Sequence, residues 1–162
     1  MGSVRTYREG DEVDLAGRLR AADLAEIRAG GFDSPSEALR ISAAMSEVSC
    51  TIIGNHGHVA GMFGIGNEGS FGRVWLLGSD ELVTRPLVTQ FLRQCPKYLD
   101  VMARPFERIG NVVLAANAVH LRWLLFMGFS FTGTVLRGVA GDQFLEFYKV
   151  IRPEPVRSIT ER

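Results

Sequence analysis

The stretch 111–129, NVVLAANAVHLRWLLFMGF, constrains the fold most strongly, because it predicts a buried strand that runs directly into a helix. The residues Val112–Leu114 form a short apolar and partly β-branched run, which favours a strand. Asn117 is suited to begin a helix, and Gly128 is suited to end it in a left-handed turn. Between these two positions lies His120, the first candidate for a chemical role.

Composition places the chain among single-domain globular proteins. It has 162 residues and is 46% hydrophobic, which is enough for one core. The 18 Lys and Arg residues equal the 18 Asp and Glu residues, so no overall field favours nucleic acid or an anionic membrane. No apolar run approaches the roughly 20 residues of a membrane span, and the N-terminus lacks the apolar core of a signal peptide. We therefore expect a cytoplasmic protein without a nucleic-acid partner.

Apolar periodicity and turn residues predict the remaining elements. The chain order has strands at 4–7, 50–53, 59–65, 74–77, 129–136 and 144–151, helices at 11–28 and 34–46, a glycine-rich loop at 66–72, and a long helix that starts near Pro86 and kinks at Pro96. Alternation of this kind predicts an α+β fold of the α/β/α type, with a mixed central sheet covered by helices on both faces. The predicted domain is 1–151, and the proline-bearing residues 152–162 form an arm or tail.

This element order resembles the GNAT acetyltransferase fold over nearly the whole chain. In that family an Asn opens a helix that ends at Gly-Phe, and Asn117 with Gly128-Phe129 matches this frame. The resemblance implies a binding site for acetyl-CoA between two splayed strands.

A second resemblance depends on four short blocks in the second half of the chain. These blocks are Trp75 with Gly78-Ser79-Asp80, YLDVM at 98–102, NAVHLRWL at 117–124, and GDQF at 141–144 with Phe147. Together they are similar to the internal virion protein A family of short-tailed phages. That family implies a phage protein found in the host cytoplasm or the virion, whose partners are other phage structural or internal virion proteins.

The expected site for the cofactor diphosphate departs from the GNAT pattern. The turn from Ser79 to Arg85 has no glycine and places Asp80 and Glu81 where phosphates would approach. Glycine permits close approach of the backbone, and carboxylates repel phosphates. If acetyl-CoA binds, the resemblance places Ser79, Thr84, Arg85 and Asn117 at the cofactor. The weak turn otherwise predicts that no cofactor binds.

The expected general acid is also missing. Many GNAT enzymes have a Tyr where this chain has Leu124, and leucine has no proton to donate. His120 lies one helical turn earlier on the same face, so it is the candidate base or acid. The competing interpretation is that His120 packs at the start of the helix and holds it to the sheet. A zinc site built from His56, His58 and His120 is not predicted, because the first two belong to a turn without further ligands nearby.

Two functions follow from these observations. The favoured one is a virion-associated or virion-assembly protein that acts through protein contacts and has a degenerate acetyl-CoA site. The alternative is an acetyl-CoA-dependent N-acetyltransferase of a host protein or small amine, with His120 as the base and a backbone N–H of 74–77 as the oxyanion donor. The space between the Trp75 strand and the Asn111 strand decides between them, because the enzyme needs it open.

Overall fold

A computed structural model describes residues 2–152 of the chain, and these form one mixed seven-stranded sheet with helices on both faces. The predicted fold class is therefore confirmed. The strands are β1 Ser3–Thr6, β2 Ser46–Ile53, β3 Val59–Glu68, β4 Phe71–Gly78, β5 Arg108–Leu114, β6 Ser130–Arg137 and β7 Gln143–Val150. The helices are α1 Asp11–Ala16, α2 Ala21–Ala29, α3 Pro35–Ala44, α4 Leu87–Ala103 and α5 Ala118–Phe126, with a 3-10 helix at Asp80–Val83.

The sheet consists of two antiparallel halves that meet at one parallel pair. Strands β1 to β4 pair in sequence order, and β5, β7 and β6 form the second half. The only parallel pair in the described sheet joins β4 to β5. Each half comes from a continuous segment of chain, because the long crossover through α4 lies between them.

The two faces of the sheet have separate cores. Helices α4 and α5 pack on one face through Cys95, Leu99, Leu124 and Met127, which contact Val113 and other strand residues. On the opposite face, α1 and α3 pack on β3 with their own buried cluster. Helix α2 lies on this second face too, where Ala29 packs with Leu114 and Phe144.

The strand and helix of the 111–129 stretch are present as β5 and α5, and Gly128 has a φ of 87° just after the helix. One detail of the prediction is wrong. Asn117 occupies the position before the helix, but its side chain makes no capping hydrogen bond. It is fully buried and turns inward to Asp23. The Asn117 side chain therefore forms its hydrogen bonds in the polar core at the end of the sheet and does not cap the first turn of α5.

The helix predicted at 11–28 is in fact two helices. The chain leaves α1 at Gly17, and Leu19 then forms an isolated bridge with Ser79. The N–H of Arg20 donates to the carbonyl of Gly78 at 3.0 Å before α2 begins. The residues between α1 and α2 thus cross the end of the sheet in place of about one turn of helix. Apolar spacing alone does not predict this break.

The other corrections concern element ends. The predicted loop at 66–72 is mostly strand, because β3 and β4 stay paired as far as Glu68 and Phe71 and turn through Gly69, whose φ is 77°. Helix α3 ends at Ala44, and β2 begins at Ser46 rather than Cys50. The predicted arm lies outside the described residues from 153 onward. No helix of the described residues is both long enough and apolar enough to cross a membrane.

Candidate active site

Strands β4 and β5 separate after three residue pairs and leave a gap in the middle of the sheet. The last pair is Arg73 with Gly110. Beyond it the side chain of Asn111 takes the place of the ladder: its Nδ2 donates to the carbonyl of Val74 at 2.8 Å, and its Oδ1 accepts from the N–H of Val112 at 2.8 Å. The Asn111 side chain thus supplies hydrogen-bond partners to backbone groups of both strands at the point where the strands separate.

Two carboxylates of α2 span the open ends of these strands. Asp23 accepts a hydrogen bond from the N–H of Gly78, the last residue of β4, at 2.9 Å. Glu26 accepts one from the N–H of Leu114, the last residue of β5, at 2.6 Å. The gap is therefore closed at one end by Asn111 and at the other by α2, so both strands are held apart at fixed positions.

A cavity of about 290 Å³ occupies the gap and reaches both faces of the sheet. Helices α4 and α5 line it on one side through Phe91, Cys95 and Trp123. On the other side it is lined by residues of α2, α3 and the segment between them, including Phe32. The space that the sequence left undecided is therefore open.

Backbone groups of β4 face this cavity. The carbonyl of Val74 and the N–H of Gly78 both point across the gap, toward Asn111 and Asp23 respectively. Leu76 lies midway between them, and alternate residues of a strand direct their backbone groups to the same side. Its N–H and carbonyl accordingly face the gap, so the Leu76 N–H is the group within 74–77 whose position fits the expected oxyanion donor.

A buried polar cluster stands at the end of the cavity. Asp23 is 1% exposed, and its Oδ1 accepts from Asn117 Nδ2 at 3.0 Å and from Arg20 at 3.4 Å. Asn117 Nδ2 also lies 3.3 Å from His120 Nδ1. The predicted pair Asn117 and His120 is thus brought together, and Arg20 neutralises Asp23.

His120 lies between the two carboxylates of α2. Its Nδ1 is 3.9 Å from Asp23 Oδ1 and 3.7 Å from Glu26 Oε2. Because Asn117 has two amide hydrogens, it can donate to both Asp23 and His120, which leaves Nδ1 of a neutral imidazole as an acceptor. His120 can act as a base at Nδ1 once the Asn117 hydrogen bond to that atom is released, and both carboxylates lie close to it.

The same three side chains are the one group of close metal-ligating atoms among residues 2–152. Asp23 is poorly suited to a cation, however, because its oxygens already accept from Gly78, Asn117 and Arg20. A metal ion would have to displace these bonds beside a guanidinium. The three histidines do not assemble in this part of the chain, and His58 instead lies 3.0 Å from Arg18.

Cys95 is a structural thiol. Burial raises its pKa, which disfavours the thiolate, although the neighbouring Trp123 indole lowers the pKa to a smaller extent. Its Sγ lies 3.3 Å from the sulfur of Met127. A buried thiol in such apolar surroundings is normally inert.

A shallow groove adjoins the cavity at the start of α4. Arg85 and Arg93 line it, and Gln90 and Gln94 line both the groove and the cavity. Helix N-termini and arginines favour anions, so the groove suits the diphosphate of a nucleotide cofactor whose slender arm enters the cavity. Arg85 is the predicted cofactor residue with the best position for this role.

The turn before α4 repels phosphate less than its sequence suggests, although it still lacks glycine. The Glu81 carboxylate accepts from the N–H of Asn55 at 2.8 Å and so belongs to the β2–β3 turn. Ser79 is buried and donates to the carbonyl of Ala60 at 3.0 Å. The Thr84 hydroxyl donates to the carbonyl of Asp80 at 2.6 Å. Neither hydroxyl lines the cavity, and the Thr84 bond would have to break for a phosphate.

Sequence reasoning missed Asp23, Glu26 and Asn111. Asp23 and Glu26 stand three residues apart in α2, and each lies beside an apolar residue of the predicted stripe, Leu24 or Ile27. Their spacing of i and i+3 puts them on one face of the helix. This shared face is the sequence signal by which the pair could have been found. On a surface helix that pattern is normally solvated, so the signal becomes specific only once α2 is known to cross the ends of β4 and β5.

Comparison with solved structures identifies the fold as that of the GNAT N-acetyltransferases. The ribosomal-protein-S18-alanine N-acetyltransferase from Escherichia coli has 12% identity and a TM-score of 0.68, covering 98% of this chain and 99% of its own. Spermidine N-acetyltransferase from Vibrio cholerae, solved with CoA and spermine, has 10% identity and a TM-score of 0.65 over 92% and 95%. A GCN5-related N-acetyltransferase from Kribbella flavida has 17% identity and a TM-score of 0.64 over 92% and 97%.

At these identities the likeness establishes the fold alone. No protein-family model matches the sequence, and no curated protein matches it in sequence. The predicted GNAT-like fold is therefore confirmed, whereas the resemblance to a phage virion family is not shown by these comparisons.

Proposed function

We propose that this chain is an acetyl-CoA-dependent N-acetyltransferase. The single observation that carries the proposal is the open gap between β4 and β5, with a cavity that reaches both faces and ends at His120. A fold that had lost its ligand would be expected to fill such a gap with side chains, because voids in a core are destabilising. The function given second place by sequence reasoning is thus the better supported.

The residues of the chain have distinct tasks in this proposal. The groove at Arg85 and Arg93 holds the diphosphate, and the apolar cavity receives the pantetheine arm from the α4 side. Acetyl-CoA supplies a thioester carbonyl, and the Leu76 N–H stabilises the negative charge that develops on its oxygen. His120 takes a proton from the attacking amine. The protein offers no tyrosine at Leu124, so the departing sulfur takes its proton from the amine or from water.

Calorimetry followed by kinetics tests the proposal. Acetyl-CoA should bind, and His120→Gln should lower kcat by about 10²- to 10⁴-fold, the usual contribution of a general base, while changing the cofactor Kd little. His56→Gln is the matched control, because His56 is exposed in the β2–β3 turn. Absence of binding at millimolar acetyl-CoA would refute the enzymatic function, and full activity of His120→Gln would refute the role of His120 as the base.

A second candidate function rests on the glycine-free turn, which forms a 3-10 helix instead of a phosphate loop. In that case the protein acts through contacts with other phage structural or internal virion proteins, in the host cytoplasm or in the particle, and the cavity is a remnant. Titration of the isolated protein with virion components tests this role. It requires association with such components together with no response to acetyl-CoA.

A further inference from the structure

The cavity contains a single formal charge. Among the described residues that line it, Glu26 is the only one with an acidic or basic side chain apart from the imidazole of His120. The other lining side chains are apolar or uncharged, such as Trp75, Val112 and Gln94. The charge of Glu26 therefore determines which charged groups can bind in the cavity.

Glu26 also lacks the partner that Asp23 has. The Arg20 guanidinium lies 3.4 Å from Asp23, and its other hydrogen bond within residues 2–152 is to Asn117 Oδ1. Glu26 accepts from the Leu114 N–H through Oε1, and among residues 2–152 the polar group recorded near Oε2 is the His120 imidazole, at 3.7 Å. Two carboxylates, those of Asp23 and Glu26, therefore face one guanidinium. The remaining negative charge belongs to Glu26, whose side chain is 15% exposed.

A carboxylate beside an apolar cavity is stabilised by a cation that enters the cavity. From this charge balance we propose that Glu26 binds the ammonium group of the acceptor and restricts acceptors to amines without a carboxylate next to the amino group. This inference deepens the proposed acetyl transfer and depends on it for the reaction. The binding of the amine itself does not depend on the cofactor.

The proton balance of the reaction fits this placement. The acceptor enters as R–NH3⁺ against Glu26 Oε2 and gives one proton to His120 Nδ1, in exchange for the Asn117 hydrogen bond at that atom, and His120 later releases the proton to solvent. The nitrogen lone pair of R–NH2 then forms the C–N bond to the thioester carbonyl carbon, and the C–S bond breaks with its electron pair remaining on sulfur. The second nitrogen proton goes to that sulfur, which leaves an amide and a thiol.

The same charge excludes amino acids as acceptors. An α-carboxylate beside the reacting nitrogen would lie close to Glu26, and none of the lining residues in this part of the chain is Arg or Lys. Enzymes that accept a carboxylate normally provide such a cation. The acceptor is therefore an alkylamine, a polyamine or the amino group of a peptide, in which the nearest carboxyl group is absent or amidated.

Three matched acceptors test this specificity. They are 1-aminobutane, norvaline, which adds an α-carboxylate to the same carbon skeleton, and norvalinamide, which replaces that carboxylate by a neutral amide. Since a hydrogen bond to a charged group changes affinity by about tenfold or more, 1-aminobutane and norvalinamide should exceed norvaline in kcat/KM by at least that factor. Equal kcat/KM for norvaline and norvalinamide would overturn the inference, because both acceptors are substituted at the α-carbon and differ in the charge of that substituent.

Glu26→Gln tests the residue itself, because the amide oxygen can still accept from Leu114 while the charge is removed. We expect KM for 1-aminobutane to rise by about tenfold or more and the acetyl-CoA Kd to stay within about twofold. Glu37→Gln on the exposed face of α3 is the control. An unchanged KM in Glu26→Gln would reject the assignment even if acetyl transfer is confirmed.

Calorimetry with 1-aminobutane alone separates the two proposals. If the amine binds without cofactor and Glu26→Gln abolishes that binding, the ammonium site stands even where acetyl-CoA gives no heat. If acetyl-CoA binds and is turned over but the amine site is insensitive to Glu26, the enzymatic function stands and this inference fails.

Discussion

Asp11 shows how much a single buried carboxylate can hold in place. It accepts from both terminal nitrogens of Arg5 at 2.8 and 2.9 Å, from the Arg8 N–H at 2.9 Å and from the Thr51 hydroxyl at 2.7 Å. Burial raises the pKa of Asp11, but the hydrogen bonds and the charge of Arg5 outweigh it, so the net pKa is lowered. The residue ties β1 and β2 to the first turn of α1.

This lowered pKa predicts an acid-sensitive contribution to stability. The carboxylate is favoured in the folded state, so its contribution is complete above the unfolded pKa of about 3.9 and is lost as the pH falls through the lower folded pKa. Asp11→Asn should reduce the free energy of unfolding at pH 7 by about 1–3 kcal/mol. Urea titrations from pH 7 to pH 3 should show the two proteins converging in acid. A constant difference at all pH values would contradict the assignment.

Other residues mark the limit of what the sequence reveals at this scale. Gly128 could be assigned its left-handed turn because that role depends only on its neighbours in the chain. Asn117 could be placed at the start of α5, but not in the polar cluster, since its partner Asp23 is 94 residues away. A sequence predicts roles that depend on neighbouring residues, such as the turn at Gly128. Tertiary packing determines whether Asn117 caps the helix or hydrogen-bonds in the polar cluster.

Among the elements, α4 is the one whose sequence conflicts with its structure. It runs from Leu87 to Ala103 and continues through Pro96. Proline has no N–H, so the carbonyl of Leu92 loses its helical partner. The Cys95 thiol points to that carbonyl, with Sγ 3.9 Å from the oxygen. The helix is held by its packing on the sheet rather than by its own propensity; the kink expected at Pro96 stays a prediction.

Pro96→Ala should therefore stabilise the protein. Restoring the N–H to the Leu92 carbonyl and removing the ring should raise the free energy of unfolding by about 1–3 kcal/mol, up to the usual cost of an interior proline. Chemical denaturation provides the measurement, and Thr89→Ala, earlier in the same helix, controls for simple helix propensity. A loss of stability in Pro96→Ala would mean that a bend at this position is required for packing.

Helix α2 illustrates the opposite case, in which the sequence agrees with the helix but does not reveal the role of its polar residues. Its apolar residues predicted a helix correctly, although the boundary with α1 was missed. Acids on a helix are normally solvated, yet the two acids of α2 accept the last N–H groups of β4 and β5. Periodicity identifies which residues form a helix, but it does not report what the polar face of that helix will meet.

For the whole molecule, the junction between the half-sheets is small. Three residue pairs, the Asn111 amide and the carboxylates of α2 connect β4 with β5. The fold class was predictable, because each half is built from strands of one continuous segment and the crossover helix is strongly amphipathic. The gap was not predictable, since it depends on side chains from two separate elements, β5 and α2.

Asp23→Ala is expected to weaken this junction severely. Removing a buried partner leaves Arg20 without its counter-ion and Gly78 without its acceptor, which typically costs about 3–5 kcal/mol. Asp100→Ala, on the exposed side of α4, should change stability by less than about 0.5 kcal/mol. Urea unfolding with hydrogen exchange at the Gly78 amide measures both effects. Equal behaviour of the two variants would show that α2 does not hold the strands.

The position of the gap also bears on how the protein assembles. Strands β1–β4 can pair within the first half of the chain, and β5–β7 can pair within the second half. The cavity has walls from both halves, so neither half contains it alone. A nascent or partly folded chain can hold either sheet fragment without having a ligand site, and the capacity to bind arises only when the two halves dock.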